Sequence, residues 1–193
     1  MPEIYFDNGA TTRAFPEVRE LMSEVLDIEY GNPSSMHLKG YHAEQYVNRA
    51  KEEIARSLKV ETKEIYFTSG GTEANNLALI GTAMAHKRTG KHIITSCIEH
   101  ASVYNPLGFL EEEGFEVTYL PVDEKGIVSL EALEKALRPD TFLVSIMCVN
   151  NEIGAVEPIE EIGRIVKKYN PEILFHTDCI QAYGKMKLFP KKW

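Results

Sequence analysis

Phe142-Leu143-Val144-Ser145-Ile146-Met147-Cys148-Val149 is apolar along almost its whole length and runs directly into Asn150-Asn151-Glu152-Ile153-Gly154. A half-buried strand would alternate apolar and polar residues. An unbroken run ending in a polar turn reads as a central strand covered on both faces. Outward from it, apolar runs centred near Tyr66, Ile94, Val117 and Leu174 are separated by segments of helical character, among them Glu73 to Lys87, Ala101 to Glu113 and Ile159 to Tyr169. That alternation predicts an α/β fold, a three-layer and largely parallel sheet with flanking helices. Such sheets bind ligands beyond the carboxyl ends of their strands, so the turn after each apolar run is where chemistry is expected.

Upstream of the sheet, Val18, Leu21, Met22, Val25 and Leu26 recur at helical spacing between Pro16 and Asp27, with the proline suited to a first turn. Glu29 to His37 is rich in turn formers and reads as a loop. Ala43, Tyr46, Val47, Ala50, Ile54 and Leu58 then line one side of a second helix. The 193 residues, 44% hydrophobic and 26% charged, have the make-up of an ordinary globular domain with a sizeable core. A formal charge of −8 argues against a nucleic-acid backbone as partner. No stretch approaches the roughly 18 apolar residues of a membrane span, and the residues from Met1 to Asn8 lack the basic and apolar regions of a secretory signal. The expected setting is cytoplasmic, with no membrane partner. Cys97, Cys148 and Cys179, an odd set at unrelated spacings, fit reduced thiols rather than a disulfide framework. Tyr183 to Pro190 reads as a new extended segment that stops at Trp193, as if the chain were cut short.

The turns carry polar groups of different kinds. Ile173-Leu174-Phe175 leads into His176-Thr177-Asp178-Cys179, with Gln181 close behind. An aspartate at such a place can cap a helix or form a turn. It can also be held against the ring nitrogen of pyridoxal phosphate, keeping that nitrogen protonated and the ring an electron sink. Ser69-Gly70-Gly71-Thr72 joins an apolar run to a helix whose free N–H groups and partial positive charge suit a phosphate. The loop lacks the lysine of a P-loop and the spacing of a dinucleotide fingerprint, and a plain glycine turn capped by Thr72 is the alternative. His100 can stack on a planar ligand, transfer a proton or serve as a hydrogen-bonded structural residue. Asn151 and Gln181 are amides able to donate to a cofactor oxygen or a substrate carboxylate. A rival reading pairs Cys97-x-x-His100 with His176-x-x-Cys179 as a zinc tetrad.

Taken together and in order, Asp7-Asn8-Gly9-Ala10-Thr11-Thr12, Gly31-Asn32-Pro33-Ser34-Ser35-Met36-His37, Thr68-Ser69-Gly70-Gly71-Thr72-Glu73-Ala74-Asn75, Glu99-His100, Val149-Asn150-Asn151-Glu152-Ile153-Gly154 and His176-Thr177-Asp178-Cys179-Ile180-Gln181 resemble the cysteine desulfurases of the class V aminotransferase group. The resemblance implies the large domain of a fold-type I pyridoxal-phosphate enzyme, a homodimer that converts L-cysteine to alanine. The sulfur would pass, as an enzyme-bound persulfide, to an iron–sulfur scaffold or another acceptor for cluster or thionucleoside synthesis. It also implies that Gly71 and Thr72 hold the cofactor phosphate, that His100 stacks on the ring in a catalytic role, that Asn151 and Gln181 contact its oxygen side and that Asp178 pairs with the ring nitrogen. No metal is implied. Residues 1–15 would be an N-terminal segment of the small-domain or active-site region, and 16–193 an incomplete cofactor-binding large domain.

The chain also departs from the family. The Schiff-base lysine and the persulfide-forming cysteine of the resembled enzymes lie later than the residues here, Lys185 and Lys187 match no such motif, and Cys179 stands where the family has a small residue such as alanine. The chain by itself is therefore expected to be inactive, to form no imine with the cofactor and to self-associate through uncovered apolar surface and a free sheet edge. A selenocysteine lyase, another class V aminotransferase and, from a different class, a non-catalytic fragment or interaction module stay open as alternatives.

Overall fold

The computed structural model describes residues 3–88 and 90–193; Met1 and Pro2 of the expected N-terminal segment, and Thr89, lie outside the described residues. Two compact units are present, one ending at Tyr66 and the other spanning Phe67–Trp193. The first contains the helices Pro16–Asp27 (α1) and Leu38–Leu58 (α2), both where the apolar spacing puts them. Pro16 sits in the first turn of α1, as its fixed φ favours. No residue of α1 is buried, and the apolar face formed by Val18, Leu21, Met22 and Leu26 is exposed. In α2 the apolar side buries Ala43 and Ala55, and His37 caps the start by accepting from Gly40 N–H.

The second unit holds Gly71–His86 (α3), His92–Ser96 (β1), Ala101–Glu112 (α4), Glu116–Leu120 (β2), Leu130–Ala136 (α5), Thr141–Ser145 (β3), Ile159–Tyr169 (α6) and Leu174–His176 (β4). The strands form one sheet in the order β2-β1-β3-β4, with every pair parallel. β1 and β3 are buried at all their positions, which is why their sequences do not alternate. Ile93, Phe142 and Leu143 pack with Leu79 and Ala83 of α3 and with Val103, Leu107 and Leu110 of α4. Successive strand side chains point to opposite faces, so Ile94 and Val144 face the other layer. There α5 and α6 pack on each other and bury Leu133, Ile162 and Val166. Polar side chains within the sheet pair with one another: the His92 ring lies between Thr141 Oγ1 (2.7 Å) and Thr118 Oγ1 (2.8 Å), and Thr95 Oγ1 donates to Ser145 O (2.9 Å). Removing one methyl from this layer by Ile93→Val is expected to cost about 0.5–1.5 kcal/mol, read from the midpoint of urea unfolding at unchanged slope.

Two expectations need correction. The run near Tyr66 is not a strand among the described residues: after a short 3-10 turn at Thr62–Glu64 only Ile65 is buried, while Tyr66 and Phe67 are exposed and no ladder partner lies beside them. Propensity for the pleat does not suffice without a neighbour to accept the backbone bonds. The segment from Tyr183 to Pro190 is also not extended. Tyr183 N–H donates to Cys179 O, and Lys185 and Met186 N–H to Ala182 O, in consecutive turns closed at Gly184 with φ +80°.

The sheet order reverses between β1 and β3. The chain leaves β1 for β2 on one side, then returns past β1 to place β3 and β4 on the other, so the turns after β1 and β3 diverge and leave a crevice at the carboxyl edge.

Candidate active site

Each strand delivers a polar turn to that edge. After β1 comes Cys97-Ile98-Glu99-His100, after β3 Asn150 and its loop, and after β4 Thr177-Asp178. Helix α3 reaches the same place from its own N-terminus. A Cβ on Gly71 would lie 2.1 Å from Ile180 Cδ1, so the start of α3 packs directly on the turn that holds Asp178 and a larger residue there would have to push the Ile180 side chain aside.

Asp178 is buried at 9% exposure, and both of its oxygens are engaged: Oδ1 accepts from Ile180 N–H (3.0 Å) and Oδ2 from Asn75 Nδ2 (2.9 Å). Asn75, one turn into α3 and itself buried, donates its second amide hydrogen to Ser102 Oγ (2.9 Å). Ser102 N–H (3.1 Å) and Ser102 Oγ (2.8 Å) both lie on His100 Nδ1. Since the backbone N–H can only donate, Nδ1 is the acceptor, and the neutral ring carries its proton on Nε2. Asp178, Asn75, Ser102 and His100 are thus one directed chain of hydrogen bonds. The amide of Asn75 sits in a helix, where its sequence reads only as a polar position; its partner Asp178 is 103 residues away. Ser102, two residues after a histidine that caps a helix, is the kind of local signal that could have been read. Asn75→Ala would leave a buried carboxylate oxygen and a buried hydroxyl without their donor, at an expected cost of about 2 kcal/mol in chemical denaturation.

The phosphate-loop candidates lie at the edge of the site. Helix α3 begins at Gly71 with Gly70 as its cap, so Thr72 is inside the first turn and is not the N-cap. Ser69 N–H and Oγ both donate to Glu73 Oε2 (2.6 Å each), which holds the Glu73 carboxyl below its ordinary range. The first N–H groups of the helix have no intrahelical acceptor and point to the loop. A groove of about 520 Å³ lies against this end, with Thr72, Asn76, His100, Asn105 and Phe109 among its walls.

The two amide candidates sit differently. Asn151 is exposed and donates to Glu152 Oε1 (2.8 Å), whereas its neighbour Asn150 is buried, donates to Ile98 O (2.8 Å) and accepts from Glu152 and Ile153 N–H. Asn150 therefore ties the turn after β3 to the turn after β1. Gln181 is half-buried and accepts from Lys185 Nζ (3.1 Å).

Two half-buried titratable groups lie behind these turns. Glu99 Oε1 accepts from Ser96 Oγ (2.6 Å) and Met147 N–H (2.9 Å), while the buried Oε2 has no partner among the described residues. Burial pushes this carboxyl up to about 7, with Asp178 and Glu157 adding to the shift against those two hydrogen bonds. His176, whose Nδ1 pairs with Ser145 Oγ (2.8 Å), is pushed by burial down to about 4, opposed by Asp178. The zinc tetrad does not assemble. Cys97 is exposed, His176 is turned to Ser145, and no three His, Cys, Asp or Glu residues form a metal-holding group among the described residues.

Residues 4–193 match the family model described as aminotransferase class-V. Among curated proteins, the chain is 50% identical over 182 residues to a cysteine desulfurase IscS of Dictyoglomus turgidum, covering 94% of this chain and 46% of that protein. The chain thus spans about half the length of the curated relatives it matches. Among solved structures, a NifS-like protein superposes with a TM-score of 0.95 at 44% identity, over 98% of this chain and 52% of the other. SspA, solved in complex with cysteine, superposes with a TM-score of 0.92 at 41% identity, over 97% and 54%.

Proposed function

Since the chain belongs to the class-V aminotransferase family, we propose that it forms the cofactor-binding part of a pyridoxal-phosphate-dependent cysteine desulfurase acting on L-cysteine. The observation that carries this reading is the buried Asp178 at the carboxyl end of β4, held from one side by Asn75 and from the other by Ile180 N–H.

The residues present fit the cofactor. Each Asp178 oxygen accepts from one of these donors and has a second lone pair, so the carboxylate can accept a further N–H from a pyridinium. The chain from Asn75 through Ser102 to His100 fixes that carboxylate and the imidazole relative to one another, with the His100 ring exposed for stacking. The glycine approach at Gly71 and the free N–H groups at the start of α3, beside Thr72, suit a phosphate. Gln181 and Asn151 are assigned to the oxygen side of the cofactor. Bound pyridoxal phosphate supplies an electron sink for charge developing at the substrate Cα. The contribution of this chain is to keep the proton on the ring nitrogen through Asp178, to orient the ring through His100 and to anchor the phosphate.

In the same reading residues 1–15 are an N-terminal segment and 16–193 an incomplete large domain. The protein works as a homodimer in the cytoplasm, passing sulfur to an iron–sulfur scaffold or similar acceptor. No helix among the described residues is long and apolar enough to cross a membrane. The test is a titration of the chain with pyridoxal phosphate, followed by quenching of Trp193 and tyrosine emission. Saturable binding that Asp178→Asn weakens by about tenfold or more is expected. Binding indifferent to Asp178 and to Gly71→Val would overturn the cofactor assignment.

A further inference from the structure

The carboxyl ends of β3 and β4 also bring two thiols together. The parallel register Val144↔Phe175 and Ser145↔His176 continues beyond the ladder, because Ile146 N–H donates to His176 O (3.1 Å) and Cys148 N–H to Asp178 O (2.8 Å). Carried three residues on from Ser145↔His176, it sets Cys148 opposite Cys179. Residues paired in this way project to the same face, where Cys179 Sγ lies 3.8 Å from Thr177 Oγ1 and each thiol displaces the other's proton affinity. Neighbouring strands run about 4.8 Å apart, inside the roughly 4.4–6.8 Å between Cα atoms that a disulfide spans.

The surroundings favour one thiol as the nucleophile. The neighbouring Cys179 thiol holds Cys148 below the ordinary thiol range, while the same pairing, together with burial, pushes Cys179 up. Cys148 is 4% exposed, Cys179 is half-buried, and Cys97 is exposed and outside the pair. Neither the cofactor site nor the hydrogen-bonded chain from Asp178 to His100 uses these two sulfurs.

The geometry points to Cys148 and Cys179 as a modification site, a dithiol that hydrogen peroxide closes to a disulfide, tying β3 to β4 at the residue that follows Asp178. The Cys148 thiolate attacks one peroxide oxygen, the O–O bond breaks, and the departing hydroxide takes up a proton as water. Cys179 sulfur then attacks the sulfenic sulfur, the S–O bond breaks, and the hydroxyl leaves with the Cys179 proton as a second water. Two thiols lose two electrons in total and one peroxide gains them. The bond restrains the turn on which Asp178, Ile180 and Gln181 sit, because it removes the freedom of that turn to slide along β3.

The dithiol is independent of the proposed function, and its oxidation needs neither cofactor nor substrate. The chain is exposed to a small excess of hydrogen peroxide, quenched, alkylated in denaturant and digested. The expected product is a Cys148 peptide joined to a Cys179 peptide, about 2 Da below the sum of the two thiol peptides and separated again by dithiothreitol, with Cys97 oxidised singly or alkylated. Cys179→Ser should abolish the link and leave Cys148 as a dimedone-reactive sulfenic acid. Amide hydrogen exchange across residues 177–182 should slow by about tenfold in the linked protein and recover on reduction. Cys148 and Cys179 both fully alkylatable while Cys97 is oxidised, or a link that involves Cys97 instead, would overturn the site. Unchanged exchange in protein shown to be linked would overturn its hold on the Asp178 turn.

Discussion

Asp178→Asn, in a protein spanning the full length of its relatives, is expected to lower cysteine-dependent sulfide release by about 10³-fold or more while leaving the fold intact. The substitution keeps the volume and one of the two acceptor oxygens but removes the negative charge that holds a proton on the ring nitrogen, so the larger loss falls on the electron sink. A factor of 10³ corresponds to about 4 kcal/mol of transition-state stabilisation, more than the 1.5–3 kcal/mol or so that one charge-assisted hydrogen bond adds to binding. The rate should therefore fall further than cofactor affinity does. Asn75→Ala should move both in the same direction by less, since it unsettles the carboxylate without removing it. Retained turnover in Asp178→Asn, with the cofactor bound, would show that another group protonates the ring.

Glu99→Gln should raise the free energy of unfolding by about 3 kcal/mol at pH 8 and change it little at pH 4.5. The folded protein binds a proton on Glu99 up to about pH 7, whereas the ordinary value is 4.5. A raised folded-state pKa gives stability that is complete below 4.5 and is lost as the pH climbs through about 7, each tenfold difference in proton affinity being worth about 1.4 kcal/mol. Glutamine keeps an oxygen for Ser96 Oγ and Met147 N–H and never ionises, so it escapes the loss. His176 acts at the other end. Its folded value of about 4 lies below the ordinary 6.5, so the unfolded chain takes up the proton first and stability falls as the pH drops from about 6.5 towards 4. His176→Gln should flatten that acid limb. Urea unfolding of the three proteins at pH 4.5, 6 and 8 checks both, and parallel pH profiles for wild type and Glu99→Gln would mean that the Glu99 carboxyl is hydrated.

What was legible in the sequence is what depends on neighbours along the chain. The 3.6-residue spacing of Val18, Leu21, Met22, Val25 and Leu26 with Pro16 ahead of it set α1, and the Ala101 to Glu113 segment set α4, because a helix closes its hydrogen bonds within four residues. The unbroken run from Phe142 announced a strand with two covered faces, and the polar turns do lie together at the carboxyl edge of the sheet. Asp178, Gly71 and His100 could be singled out because strand-end turns and helix starts are local features. Where the reading failed, a distant partner was decisive. Tyr66 and Phe67 have strand-like side chains, but a strand exists only when another segment accepts its backbone bonds, and none does so among the described residues. Asn75 looked like an unremarkable helical residue until the sheet placed Asp178 within 2.9 Å of it. That Asn150 is buried and ties two turns together while its neighbour Asn151 stays exposed also follows from the packed turn after β3 and not from either residue type. The displaced proton affinities of Glu99 and His176 and the meeting of Cys148 with Cys179 belong to the same class. Desolvation and strand register are properties of the packed sheet, and no residue carries them alone.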